Sequence, residues 1–159
     1  MNQETLYFVD TAGNYLGAYC GVEPPSGAVQ TQEPPPNAAM KLINGAWTLP
    51  TELVKANISS VRYDAETAGI TVNGMFIDTG RDSQALITGA ALSAFMDDTY
   101  ACNWKTPDGF VEIDAPTLIS VSKAVRIHVQ ACFDREAALL VALAAGTFTD
   151  TMLEEGWPA

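Results

Sequence analysis

Two Asn-Gly dipeptides, Asn44-Gly45 and Asn73-Gly74, each lie between short apolar triplets. An Asn-Gly pair adopts the positive φ values of a type I′ turn, whose twist matches that of two antiparallel strands. Lys41-Leu42-Ile43 and Ala46-Trp47-Thr48 are therefore predicted as one hairpin, and Ile70-Thr71-Val72 and Met75-Phe76-Ile77 as another. Chain reversals this tight exclude parallel crossovers at both places, so the sheets must be antiparallel.

The other elements follow from these two. Leu6–Val9 and Tyr15–Tyr19 flank the turn-forming stretch Asp10–Asn14 and predict a hairpin at the N-terminal end. Val22–Pro36 holds five prolines in fifteen residues. Proline removes a ladder donor and fixes φ, so this stretch is expected to be extended loop or polyproline II. Leu53, Val54, Ile58, Val61 and Tyr63 recur near helical spacing and predict a helix over 51–67. Asp78-Thr79-Gly80 offers capping chemistry before a second helix, Arg81–Met96, with Ala85, Leu86, Ala90, Leu92 and Phe95 as its apolar stripe. Ala101–Lys105 and Phe110–Ile113 flank Thr106-Pro107-Asp108-Gly109, a third hairpin. Asp114 as N-cap and Pro116 in the first turn open a long helix, with Leu118, Val121, Val125, Val129, Cys132, Leu140 and Leu143 along one face and Gly146 as its stop. The fold class is α+β: antiparallel hairpins with three helices, the last one long, plus a small N-terminal β module. We divide the chain into that module with its Pro-rich loop (residues 1–49), an α+β domain (50–146) and an acidic tail (147–159). No repeat of fixed period is present, although hairpin-then-helix occurs twice.

Charge narrows the partners. Eight Lys+Arg against nineteen Asp+Glu give a net charge of -11, a field that repels phosphate backbones and anionic lipid headgroups. Nucleic acid and membrane are excluded as expected partners; a protein surface is favoured. Cys20, Cys102 and Cys132 are few and widely spaced. They do not form a disulfide framework, and they fit a reducing compartment as small buried hydrophobes. Met1-Asn2-Gln3-Glu4 lacks the basic and apolar regions of a secretory signal.

Catalytic constellations are missing from the sequence. There is no phosphate loop, no dinucleotide fingerprint and no nucleophile elbow. His128, the single histidine, stands four residues before Cys132, a spacing that puts both on one helix face, but nothing nominates further metal ligands. It is expected to be a structural histidine. Asp97-Asp98 and Glu154-Glu155 are adjacent pairs without the opposed geometry of glycoside hydrolysis, and read as solvated charges. We expect no enzyme activity, no cofactor and no metal. Two features resemble recognition surfaces: Tyr7, Tyr15, Tyr19 and Trp47 of the β module, and Met152, Leu153 and Trp157 of the tail. The alternatives are that the first set forms the module's own small core and that the tail docks on its own domain or is disordered.

Three ordered blocks carry a resemblance. They are Asp78–Ala90, containing Arg81, Ser83 and Gln84; Asn103–Phe110, containing Trp104 and Lys105; and His128–Glu136, containing His128, Cys132 and Phe133. Together, over roughly residues 58–145, they resemble a domain family of phage and prophage tail genes. Its pattern is a Thr/Asp-Arg-x-Ser-Gln segment, a Trp-Lys hairpin and a long helix with His-Val-x-x-Cys-Phe. The N-terminal part also looks like tail-fibre-associated proteins, with an aromatic hairpin, a Pro-rich loop and a Trp-bearing segment. Leu42 and Ile43 stand where a second Trp would precede the turn, so a sugar-binding role is not carried over. The resemblance implies a tail-fibre assembly protein, chaperone-like, binding a phage tail-fibre or tail protein in the host bacterial cytoplasm. It offers no catalytic site to transfer. The alternative it implies is a structural component retained in the virion tail, with homo-oligomerisation open to it.

Overall fold

The computed structural model describes residues 4–106 and 109–158. The reading of Met1–Gln3, the Pro107-Asp108 turn and the terminal Ala159 lie outside the described residues. The chain is α+β, with antiparallel hairpins and three helices, the last of them 30 residues long. It divides into two compact units, one up to Ala56 and one from Asn57.

The first unit is built from β1 (Leu6–Val9), β2 (Tyr15–Tyr19), β3 (Val29–Thr31), β4 (Lys41–Ile43) and β5 (Ala46–Thr48). β1 is central, with β2 and β3 antiparallel on either side. β3 corrects the expectation of continuous loop from Val22 to Pro36. Val29-Gln30-Thr31 is the window free of proline between Pro25 and Pro34, so its amides can join a ladder that the prolines would break. The turn after β1 is held by Asp10, whose carboxylate accepts from Ala12 N (2.9 Å), Asn14 N (2.8 Å) and Asn14 Nδ2 (2.7 Å). Leu42 N donates to Gly13 O at 2.9 Å, joining this turn to the β4–β5 hairpin. Cys20 is exposed, against the expectation of a buried thiol, because β2 ends there and the chain enters the loop.

Both Asn-Gly turns form as predicted, with positive φ at Asn44, Gly45, Asn73 and Gly74. α1 (Thr51–Thr67) begins in the first unit and continues into the second. Its buried face is Ile58 and Glu66, while Leu53 and Tyr63 of the expected stripe are exposed. β6 (Ile70–Val72) and β7 (Met75–Ile77) precede α2 (Arg81–Met96); β8 (Ala101–Thr106) and β9 (Gly109–Asp114) precede α3 (Ala115–Ala144). Hairpin-then-helix thus occurs three times along the chain, not twice. The Asp114 side chain caps α3 by accepting from Thr117 N at 3.0 Å. α3 stops in a Schellman arrangement: Gly146 (φ +71°) donates to Leu143 O and Thr147 to Ala142 O.

α2 departs most from expectation. Leu86, Leu92 and Phe95 are 66%, 59% and 80% exposed, Ala85 is also exposed, and only Ala90 of the expected stripe is partly covered. The buried residues are Ile87 and Ala94, seven apart on the other side of the helix. α2 also lacks a side-chain cap: Gly80 is its N-cap, and Asp78 instead accepts from Gly80 N (2.9 Å) and Ser83 Oγ (2.5 Å). α3 keeps its expected face to Cys132, after which Leu139 rather than Leu140 is the buried leucine.

The core of the second unit has two centres. One gathers Ile77, Ile87, Val121, Val125 and Val129; the other gathers Ala94, Ile113, Ala115 and Leu118. Trp104 and Met75 pack against both. Removing a large aromatic that joins two clusters costs its burial and leaves a cavity. Trp104→Ala is expected to lower stability by about 3 kcal/mol, the low end for Trp because one side of the ring stays open. Urea unfolding followed by far-UV circular dichroism checks this; an unchanged midpoint would remove Trp104 from the core.

Candidate functional site

The site is framed by a buried polar network. Glu66, near the end of α1, is 1% exposed. Its carboxylate bonds Arg62 Nη1 one turn earlier, Arg81 Nη2 at 3.2 Å and Gln84 Nε2 at 3.1 Å. Arg62 also reaches Glu136 of α3 at 3.0 Å, and Ser59 Oγ donates to the same carboxylate at 2.5 Å. The Arg62 guanidinium stacks 4.6 Å from the Phe133 ring centroid. Thr79, fully buried, donates to Glu66 O at 2.6 Å and accepts from Gly69 N at 2.9 Å. Burial pushes the Glu66 carboxyl up; the Gln84 amide and the Arg81 and Arg62 guanidiniums outweigh it and hold the group below its ordinary value.

This network fixes the N-terminal end of α2, and the buried Ile87 and Ala94 turn its other side outward. A groove of about 790 Å3 opens between α2, Phe76 of β7 and the β8–β9 hairpin. Ala85, Leu86, Gly89, Ala90 and Ser93 form one wall; Cys102 to Thr106 form the other, with Tyr100 and Phe110. Phe76, Leu86 and Phe110 are 45%, 66% and 72% exposed. Leu92 and Met96, further along α2, are also exposed. Among the described residues that line the groove, the carboxylate is Asp78 and the cation Lys105. The Ser83 hydroxyl and Gly80 amide hold Asp78 below the ordinary carboxylate range.

The structure separates the residues the sequence singled out. Arg81, Gln84 and Phe133 meet at the network; Ser83 and Lys105 line the groove, and Trp104 lies between groove and core. His128 is buried beneath α1, its Nε2 3.1 Å from Ala65 O and 3.9 Å from Cys132 Sγ, with Nδ1 unpartnered. Burial, and then the Glu66 charge, push the Cys132 thiol up. Among the described residues no three His, Cys, Asp or Glu side chains come together as metal ligands, and no helix is long and apolar enough to cross a membrane. In the first unit Tyr15 stacks edge-on against Trp47 at 6.2 Å, and Tyr19 against Phe8 at 5.6 Å, so these rings pack on their own module; Tyr7, on β1, is half-buried. The tail turns back on α3: Asp150–Leu153 is a 3-10 helix, Arg135 donates to Met152 O at 2.8 Å, and Trp157 Nε1 donates to Leu153 O at 2.8 Å. Glu66 and the groove do not stand out in the sequence. The Arg62–Glu66 spacing was the available signal for the first, and the excess of apolar residues around α2 for the second.

Fold and groove define an α+β domain of hairpins and helices with an open apolar surface. The chain belongs to the family described as a domain of unknown function, DUF4376, which matches residues 50–155. No curated protein and no solved structure matches the chain.

Glu66 makes acid stability testable. Its folded pKa lies below the unfolded value, near 4.3, so its contribution is complete above that value and is lost as pH falls through the folded one. Glu66→Gln is expected to flatten the pH dependence of stability below about pH 5 relative to the unsubstituted chain. Glu66→Ala is expected to cost about 3 kcal/mol at pH 7, the low end for breaking a buried pair because Arg62 keeps Glu136. Denaturant titrations from pH 3 to 7 check both; parallel curves for Glu66→Gln and the parent would refute the linkage.

Proposed function

We propose that the protein is a chaperone-like phage tail-fibre assembly protein that binds the fibre protein during tail assembly, in the host bacterial cytoplasm, without catalysis. The observation that carries the reading is the exposed apolar groove beside α2. Single exposed leucines are ordinary on any protein. A groove lined by Leu86, Phe76 and Phe110 together is an exposed apolar surface of the kind that marks a protein contact. The resemblance in the Arg81–Gln84, Trp104-Lys105 and His128–Phe133 blocks supports the choice of partner.

The physics of the task fits. A fibre tip before assembly exposes β edges and apolar patches. A protein that covers them must itself resist aggregation, and a net charge of -11 keeps copies apart. A cleft of about 430 Å3 between α2 and α3, lined by Arg81, Gln84, Thr88, Ser122 and Arg126 among others, is smaller and has none of the groove's aromatic side chains, so it suits a protein surface less well.

Co-expression tests the reading. Soluble fibre from the same phage is expected to depend on this chain and to fall at least severalfold with Leu86→Arg, a change at an exposed position that spares the core. Fibre solubility independent of the chain would sink the proposal. Mass spectrometry of purified particles separates the virion-component alternative: a fixed copy number per particle would replace the transient assembly role.

A further inference from the structure

We infer that the groove receives an extended, basic segment of a partner protein, which adds to the free edge of β8 as a third strand. The identity of that partner as the fibre rests on the function proposed above; the mode of binding does not.

Three observations lead there. First, β8 pairs with β9 alone, over six residue pairs from Ala101↔Asp114 to Thr106↔Gly109. In such a ladder alternate residues direct their N–H and C=O groups away from the partner strand. Among the described residues, no backbone group bonds to that outer edge. Second, five successive residues, Cys102 to Thr106, border the groove. Side chains alternate across a strand, so a groove lying on one face would be bordered by every second residue. Contact with all five is what a groove running along the strand's edge gives. Third, the facing wall of α2 is Ala85, Leu86, Gly89, Ala90 and Ser93. Four of these five are small, which leaves room for a backbone to lie between helix and strand. The five β8 residues run about 16 Å, the length of a five-residue strand.

Charge chooses among possible occupants. A second copy of this chain would bring another -11, and like charges brought together are unfavourable. A segment with apolar side chains at alternate positions and Lys or Arg between them would set one face on Leu86 and Phe110 and keep its cations in the acidic field. Asp78 on the rim supplies a fixed negative partner for one of them, and Lys105, on β8 itself, is the position their cations must avoid.

Amide hydrogen exchange on the 15N-labelled full chain tests the mode of binding. The probes are a ten-residue peptide alternating Ile with Lys, its counterpart alternating Ile with Glu, and the C-terminal region of the fibre. The basic peptide is expected to slow exchange at least tenfold at alternate residues of 101–106, the acidic one to leave them unchanged, and Leu86→Arg to weaken the basic peptide at least tenfold while α3 amides stay protected. Binding of the basic peptide or the fibre without protection in β8, equal protection by the acidic peptide, or no protection by any probe overturns strand addition. Protection by the basic peptide but no binding of the fibre supports strand addition and removes the tail-fibre reading instead.

Discussion

The second unit depends on one buried carboxylate. An ionised Glu removed from water is costly unless its oxygens are occupied, and Glu66 solves this with Arg62, Arg81 and Gln84. Those partners come from α1 itself and from the first turn of α2. Arg62 then extends the chain of charge to Glu136, so α3 is included. The solution works at one helix arrangement, because a displaced α2 would leave the carboxylate with Arg62 alone of its three partners. Such a network adds little net stability against an apolar substitute of the same shape; what it supplies here is the rotational setting of α2.

That setting explains both what could and what could not be read from the sequence. Hairpins and helices were legible because their signals are local. Asn73-Gly74 adopts the positive φ values of its turn whatever packs around it, and Asp114 caps α3 through an amide three residues away. The facing of α2 was not legible. Ala85, Leu86, Ile87, Ala90, Ala91, Leu92, Ala94, Phe95 and Met96 spread around the whole helix, so periodicity favours no side. Tertiary contacts decide it: Gln84 is drawn to Glu66, and Ile87, with the same side of the helix, faces Val121 and Val125. Glu66 escaped for a related reason. Arg62 and Glu66 stand four residues apart, a spacing that usually marks a solvated surface pair, and only the approach of α2 and α3 buries it. β3 was hidden by composition, since three proline-free residues within a proline-rich run carry too little periodicity to stand out.

The blocks that carried the family resemblance divide in the structure by role. Arg81, Gln84 and Phe133 serve the network, and His128 and Cys132 fill the space beneath Ala65. Trp104 connects the two core centres while forming part of the groove wall. Most of the recognisable pattern thus encodes how the unit folds. The groove is lined largely from the first two of these blocks, with Leu86 in the first and Phe110 at the end of the second, while Phe76 and Ser93 come from outside them.

An apolar groove on an isolated protein invites association with its own kind, and charge opposes that here. At -11, two copies approaching groove to groove repel over roughly the 8–10 Å Debye length of physiological salt. Asp78 adds a charge at the rim that its hydrogen bonds keep ionised. On the proposed mode of binding, the repulsion that acts on an acidic encounter is absent for a basic segment. Under that proposal acidity and the open groove belong together: the charge opposes pairing of copies through the apolar wall of Leu86, Phe76 and Phe110, and a basic segment is the occupant it does not oppose.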